Sequence, residues 1–374
     1  MTSTSFGPVE DTFRGFFEAD PTFSAQLAVH VRGERVVDLA VGDMRPDSLL
    51  PVYSSSKGAT AVVVALLVER GQLDLDAHVA KYWPEFAERG KDMITVRQLL
   101  SHQAGLPGVD GGFSWEELMA HEPLAERLSA QRPFWQPGQA FMYHGLTIGT
   151  LADEIVRRVD GRPVAEVLRD DVTTPRAIDL WMGTPPSEDH RVVDALPPTG
   201  EELTTFLMAN PDALGGGDPV SALAFPRGDL LDLLRRVNDE DFRRVAPPAA
   251  GVLASARGLA ALYASLRHET NGQRRVLSDD TIAQMSQIQV AGIELGSGLQ
   301  ARFAVIFQAP CAPRWPFGSV RAFGHDGAGG SLAFCDPADE IAFGYTVQRL
   351  PLPGGMDARA VELAAVVRRC VGAG

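Results

Sequence analysis

The chain has 374 residues and sets 34 Lys plus Arg against 48 Asp plus Glu, a formal charge of −14, with 45% hydrophobic and 22% charged residues. That length predicts two domains or one domain with a large insertion, and the ordinary composition excludes extended disorder. The negative charge excludes nucleic acid and anionic membrane surfaces, which are held by clustered cations; with no basic-then-apolar leader and no run long enough to span a bilayer, the expectation is a cytoplasmic protein.

Gln26 to Arg32 and Arg35 to Val41 are β-rich runs on either side of Gly33-Glu34, which predicts a two-residue hairpin. Ala61 to Arg70 is almost wholly apolar before Gly71, the pattern of a helix buried on most sides and ended by glycine. From about 76 to 249 helical patterns follow one another at Val96 to Leu100, Trp115 to His121, Leu146 to Val159 and Leu230 to Val237. Clusters such as Ala195 to Gly200 and Gly215 to Pro219 separate them. A helix from Gly258 to Leu266 precedes strand-like runs at Arg302 to Gln308, Gly330 to Cys335 and Ile341 to Gln348, with Asp336-Pro337 turning between the last two, and Ala358 to Val371 closes as a helix. Strands at both ends of a helical middle predict an α/β (α+β) fold. Residues 1–75 and 250–374 form an antiparallel sheet flanked by helices, and 76–249 is an inserted all-helical domain. Cys311, Cys335 and Cys370 are odd in number and form no C-x-x-C pair, so they read as packing residues.

Lysine occurs only at Lys57, Lys81 and Lys91, so nearly every other cation is arginine. Lys57 lies three residues after Ser54, at the first turn of the expected buried helix, where the two side chains share a face. Burial and the positive end of the helix dipole both lower a lysine pKa, and a neutral amine can take the proton of a serine nucleophile. Arginine cannot, because it stays protonated below about pH 12. Alone, the same four residues also read as a surface helix turn with Ser54 as its N-cap. Tyr143, in "FWQPGQAFMYHG", is a candidate proton relay or a buried aromatic. "FGHDGAGGSLAF", Phe323 to Phe334, is a glycine-rich stretch leading into a strand, which reads as a bulged hairpin or as an edge where an N–H near Ala328 pairs with that of Ser54 in an oxyanion hole. A phosphate loop is disfavoured, since those open helices.

In this order, these stretches resemble the serine β-lactamase and penicillin-binding-protein superfamily, in its class C-like branch that includes the family VIII carboxylesterases. The likeness also covers "RGQLDLDAHVAKYWPEF", "ITVRQLLSHQAGLPG", "PGQAFMYHGLTIGTLADEIVRRVDGRP" and "AAGVLASARGLAALY", nearly the whole chain. The resemblance implies a class C β-lactamase-like fold and an acyl-serine mechanism. Ser54 is then the nucleophile, Lys57 its base and Tyr143 the proton shuttle, with the backbone N–H groups of Ser54 and Ala328 as oxyanion hole and no metal or organic cofactor. His102, within the second of those segments, is implied to buttress the site rather than act as a base.

Two departures bear on substrate. Where class C enzymes have Y-x-N this chain has Tyr143-His144-Gly145, and where they have K-T-G it has His325-Asp326-Gly327. The permanent ammonium that would meet a substrate carboxylate is lost, unless Asp326 holds a proton on His325. His144 lines the pocket or caps a helix; His325 and Gly327 are the other candidates for substrate binding. The expected activity is hydrolysis of small, largely uncharged carboxylic esters. An acyltransferase, an amide hydrolase, a weak β-lactamase and a non-catalytic binding protein on the same scaffold are the alternatives.

Overall fold

The structure is a computed structural model and describes residues 4–209, 222–226 and 230–372, so the breaker cluster Gly215 to Pro219 lies outside the described residues. Among these residues ten strands occur: β1 (Ala25–Val31), β2 (Glu34–Val41), β3 (Leu50–Pro51), β4 (Leu180–Trp181), β5 (Leu253–Ala254), β6 (Val290–Ile293), β7 (Gln300–Phe303), β8 (Phe323–Asp326), β9 (Leu332–Asp336) and β10 (Ile341–Val347). Five form an antiparallel sheet in the order β2-β1-β10-β9-β8. The first strand of the chain therefore lies beside the last, with Ala25 opposite Val347 and Val31 opposite Ile341. The β1–β2 turn is Arg32-Gly33, one residue earlier than expected, and both residues take positive φ (52° and 84°), as a two-residue hairpin turn with the twist of its strands requires.

Side chains alternate across this sheet, and its two faces carry different residues. Leu27 and Val29 join Val9, Phe13, Phe343 and Val367 in an apolar layer beneath the helices Gly7–Ala19 and Ala358–Gly372. Only the second of these helices is expected from the sequence. On the other face Ala28 stands directly opposite Gly344, and these small residues admit the helix Ala256–Ser265 through Ala256 and Ala260. A methyl group on Gly344 would stand 2.3 Å from the Ala256 carbonyl oxygen and 2.6 Å from the Ala260 nitrogen.

The helix Ser56–Glu69 is buried from Ser56 to Leu67, in keeping with its apolar sequence, and follows a short 3-10 turn at Tyr53–Ser55. It packs against the helix Thr147–Asp160 on one side and reaches β8 on the other, so one apolar cluster runs through both halves of the chain. Within the expected insertion, Thr95 and Ser114 start the helices Val96–Leu100 and Trp115–Ala120 with capping boxes closed by Gln98 and Glu117. That segment is not purely helical, because β4 pairs with β5, which pairs in turn with β3. The run expected as a strand at Arg302 to Gln308 is extended only to Phe303, where β7 pairs with β6; Ile306 then takes φ 64° and the chain reverses. Among the described residues no helix is long and apolar enough to cross a membrane.

The close seat of the helix Ala256–Ser265 generates a stability test. Gly344→Ala should lower stability by about 1–3 kcal/mol, because the added methyl meets backbone that cannot swing aside. Gly15→Ala, whose methyl would meet nothing within 4 Å, should leave the thermal unfolding midpoint unchanged or slightly raised. Equal midpoints for the two variants by circular dichroism would contradict this packing.

Candidate active site

Ser54 is presented by a turn whose preceding residue, Tyr53, adopts φ 48°, a left-handed conformation that an aromatic residue holds only when its surroundings enforce it. The β8–β9 loop supplies that enforcement. The Ser331 hydroxyl donates to the Val52 carbonyl (2.8 Å), and Ser55 Oγ lies 2.9 Å from Ser331 Oγ and 3.1 Å from the His325 carbonyl oxygen. The loop can approach because it is glycine: a Cβ on Gly327 would stand 2.3 Å from the Val52 oxygen, and one on Gly329 would stand 2.3 Å from the Tyr53 ring. The loop is closed by Gly327 N–H to the Ser331 carbonyl and Gly330 N–H to the Gly327 carbonyl, each 2.9 Å.

One helical turn on, Lys57 is 1% exposed. Its Nζ donates to Ser54 Oγ at 3.0 Å and to the Ala249 carbonyl at 2.9 Å, and it lies 4.9 Å from the centre of the Tyr143 ring. Burial lowers the Lys57 pKa to about 7, against a smaller opposing pull from the Asp326 charge, so a large fraction of the amine is neutral near neutrality. The Tyr143 phenol is pushed far up by burial, with a hydrogen bond from Ser54 acting in the opposite direction, and is a neutral O–H donor at the same pH. Tyr143 is fixed by stacking on Phe303 (5.8 Å between centres, 11° between planes) and by its N–H donating to the Glu294 carboxylate (3.1 Å).

A cavity of about 500 Å³ opens over these groups. Ser54, Tyr143, Asp326 and Ala328 supply its polar floor, while Leu146, Phe225, Leu233, Leu299, Trp315 and Met356 supply apolar walls, and Arg314 also lines it. The arrangement offers a hydroxyl nucleophile, an amine base within hydrogen-bonding distance, a proton donor, and a tight loop carrying the Ala328 backbone. Among the described residues no group of three or more His, Cys, Asp or Glu is placed to hold a metal ion.

The structure brings Ser54, Lys57, Tyr143 and Ala328 together, but His144, Gly327 and His325 are not part of the cavity lining. The His144 ring is fully buried, its Nε2 accepting from the Leu106 N–H (3.0 Å) and its Nδ1 bound to the Met142 carbonyl (2.6 Å), so neither nitrogen is left for a substrate. Burial lowers its pKa to about 4. His102 is buried behind it and accepts the His144 N–H on Nδ1 (3.1 Å), a bracing position under Tyr143. Nor does Asp326 hold a proton on His325, the one way in which the sequence left a cation at this position. The His325 Nδ1 bonds to the Asp326 backbone carbonyl (2.7 Å), and burial together with the Lys57 charge holds the ring pKa well below its usual value. Successive residues of a strand leave on opposite faces, so on β8 it is Asp326 that reaches the cavity. Gly327 acts through the close approach it allows. Sequence reasoning misses Arg314, which lies in irregular chain with no periodic signal, and Gln308, which it places in a strand-like run without a role and which the structure bridges to Gly324 beside Asp326.

A family profile described as Beta-lactamase matches residues 9–367. The chain is similar to the Esterase/beta-lactamase LipL of Mycobacterium tuberculosis (strain ATCC 25618 / H37Rv), with 30% identity over 372 residues that cover 93% of this chain and 82% of that protein. Among solved structures it is similar to EstA from Arthrobacter nitroguajacolicus Rue61a, with a TM-score of 0.91 and 39% identity, covering 100% of this chain and 98% of that one. It is also similar to a family VIII carboxylesterase, with a TM-score of 0.87 and 32% identity, covering 99% and 98%.

The reactivity of Ser54 should follow the neutral fraction of Lys57. Labelling by a fluorophosphonate should rise through about pH 7 and, below it, fall close to tenfold for each unit of pH. Lys57→Arg, which keeps the charge and loses the base, should not label. A rate constant with no pH dependence between 5 and 9, measured by mass spectrometry of the Ser54 peptide, would remove Lys57 as the base.

Proposed function

The chain belongs to the Beta-lactamase family and is a hydrolase of that fold, and we propose that it cleaves small, largely uncharged carboxylic esters through an acyl-Ser54 intermediate. The observation that carries this reading is the 3.0 Å contact between Lys57 Nζ and Ser54 Oγ, made by an amine whose pKa lies near 7.

In the proposed cycle Ser54 Oγ attacks the ester carbonyl carbon as its proton passes to Lys57 Nζ. The carbonyl oxygen takes up the negative charge and accepts from the backbone N–H groups of Ser54 and Ala328. As the C–O bond to the alcohol breaks, the Tyr143 phenol gives its proton to the leaving oxygen and regains one from the Lys57 ammonium. Water then enters, loses a proton to the same pair, and releases the acid while Ser54 Oγ recovers its hydrogen. A neutral phenol suits the donor's part better than a phenolate, and the high Tyr143 pKa favours it.

Two features support an ester in place of a β-lactam or a peptide terminus. The position that holds the K-T-G ammonium in the resembling enzymes is a neutral buried histidine here, and the residue after it presents a carboxylate to the cavity. One similar structure is named a family VIII carboxylesterase, while LipL carries both esterase and beta-lactamase in its name.

Ser54→Ala should abolish hydrolysis of p-nitrophenyl butyrate with the circular dichroism spectrum unchanged. Tyr143→Phe should lower kcat by about 10²–10⁴-fold, the usual contribution of a positioned proton donor. Ester hydrolysis that persists in Ser54→Ala, or nitrocefin turnover exceeding ester turnover in the wild type, would overturn the assignment.

A further inference from the structure

Asp326 ends β8 and is 8% exposed, with its side chain in the lining of the cavity that contains Ser54. Its Oδ1 accepts from Gln308 Nε2 (2.7 Å) and its Oδ2 from the Met356 N–H (2.9 Å), while its own N–H donates to Gln308 Oε1 (3.0 Å). Both oxygens thus face N–H donors and neither faces an acceptor that a carboxylic acid proton would need, so the group is held as a carboxylate. Burial pushes its pKa up, with the Gln308 and Met356 bonds and the Arg314 and Lys57 charges pulling the other way.

The charged and titratable groups around it do not cancel this charge. Lys57 is only partly protonated near neutrality, and His325 is neutral. Arg314, stacked on Trp315 (4.6 Å) and donating to Ser297 Oγ (2.9 Å), already has Glu294 3.6 Å away as its counter-ion. Glu294 is itself buried at 2% exposure and tied to the backbone N–H groups of Tyr143, Gly296 and Ser297. A net negative charge therefore faces the bound substrate.

We propose that Asp326 determines specificity in this cavity: its carboxylate rejects esters bearing an anionic group and admits those that are neutral or carry an ammonium group. The inference deepens the esterase reading and rests on it. Like charges in a partly desolvated site repel by an amount worth roughly tenfold to a hundredfold in selectivity.

Three p-nitrophenyl esters of matched length test this: the hexanoate, the mono-ester of adipate and the 6-aminohexanoate. The wild type at pH 7.5 and low salt should show kcat/KM at least about tenfold lower for the adipate ester than for the hexanoate, with no such loss for the aminohexanoate. Added salt should narrow the gap. Asp326→Asn and Asp326→Ser should each shrink the hexanoate-to-adipate ratio about fivefold or more. They should also move the acid limb of the hexanoate profile to lower pH, because the Lys57 ammonium loses a stabilising neighbour; a merely loosened site would move neither. Hexanoate turnover without discrimination, or folded variants that keep the wild-type ratio and limb, overturns the proposal alone. No turnover of any of the three overturns the esterase reading and this proposal with it. Should both variants unfold, the wild-type ratio and its contraction with salt decide.

Discussion

An ammonium group taken out of water is held at a large free-energy disadvantage, and the chemistry of this protein turns on where that disadvantage has been placed. Lys57 sits at the first turn of a helix with no exposed face, under an aromatic ring, with one serine hydroxyl and one carbonyl oxygen as its hydrogen-bond partners. Two neutral partners and a distant carboxylate are too little to hold the charge, so the amine gives it up within reach of neutrality. In the proposed cycle the base is thus produced by the packing of the helix Ser56–Glu69, and whatever keeps that helix dry would keep Ser54 reactive.

Both halves of the chain take part in keeping it dry. The carbonyl that receives Lys57 Nζ belongs to Ala249, at the end of the mostly helical segment, while the Tyr53 conformation is braced from the β8–β9 loop by Ser331. Tyr143 arrives from a third stretch, and its orientation depends on Phe303 and Glu294 from the β6–β7 region. The site therefore belongs to the assembled fold and to no local motif. The spacing of Ser54 and Lys57 is the one part of it that local structure supplies unaided.

That division explains what was legible beforehand. The three-residue interval, the apolar run after it and the rarity of lysine made Ser54 and Lys57 a candidate pair through helix geometry and solvation, and the resemblance of the whole chain chose between that reading and an ordinary helix cap. The β1–β2 hairpin was readable to within one residue because turn chemistry is local, and the sheet at the chain ends followed from β-rich runs bounded by turn residues. The strand β4 is only two residues long and carries no period, so the helical segment looked uniform. The helix Gly7–Ala19 was missed as well. Substrate contact was placed on His325, with Asp326 only its neighbour, because the face a strand residue occupies is set by pairing with β9, which no single stretch discloses. Arg314 lies in irregular chain, and Gln308 reaches Asp326 only through its bridge to Gly324, so the position of each follows from tertiary contacts.

The pairing of β1 with β10 also governs when this enzyme can come into being. During synthesis the hydroxyl and the amine leave the ribosome well before Ile341–Val347, and the five-stranded sheet stays incomplete until that strand lies against Ala25–Val31. Such closure between strands far apart in sequence is slow. Until the Ala249 carbonyl and the Tyr143 ring close over it, Lys57 stays in water, where a lysine keeps its ordinary ammonium charge.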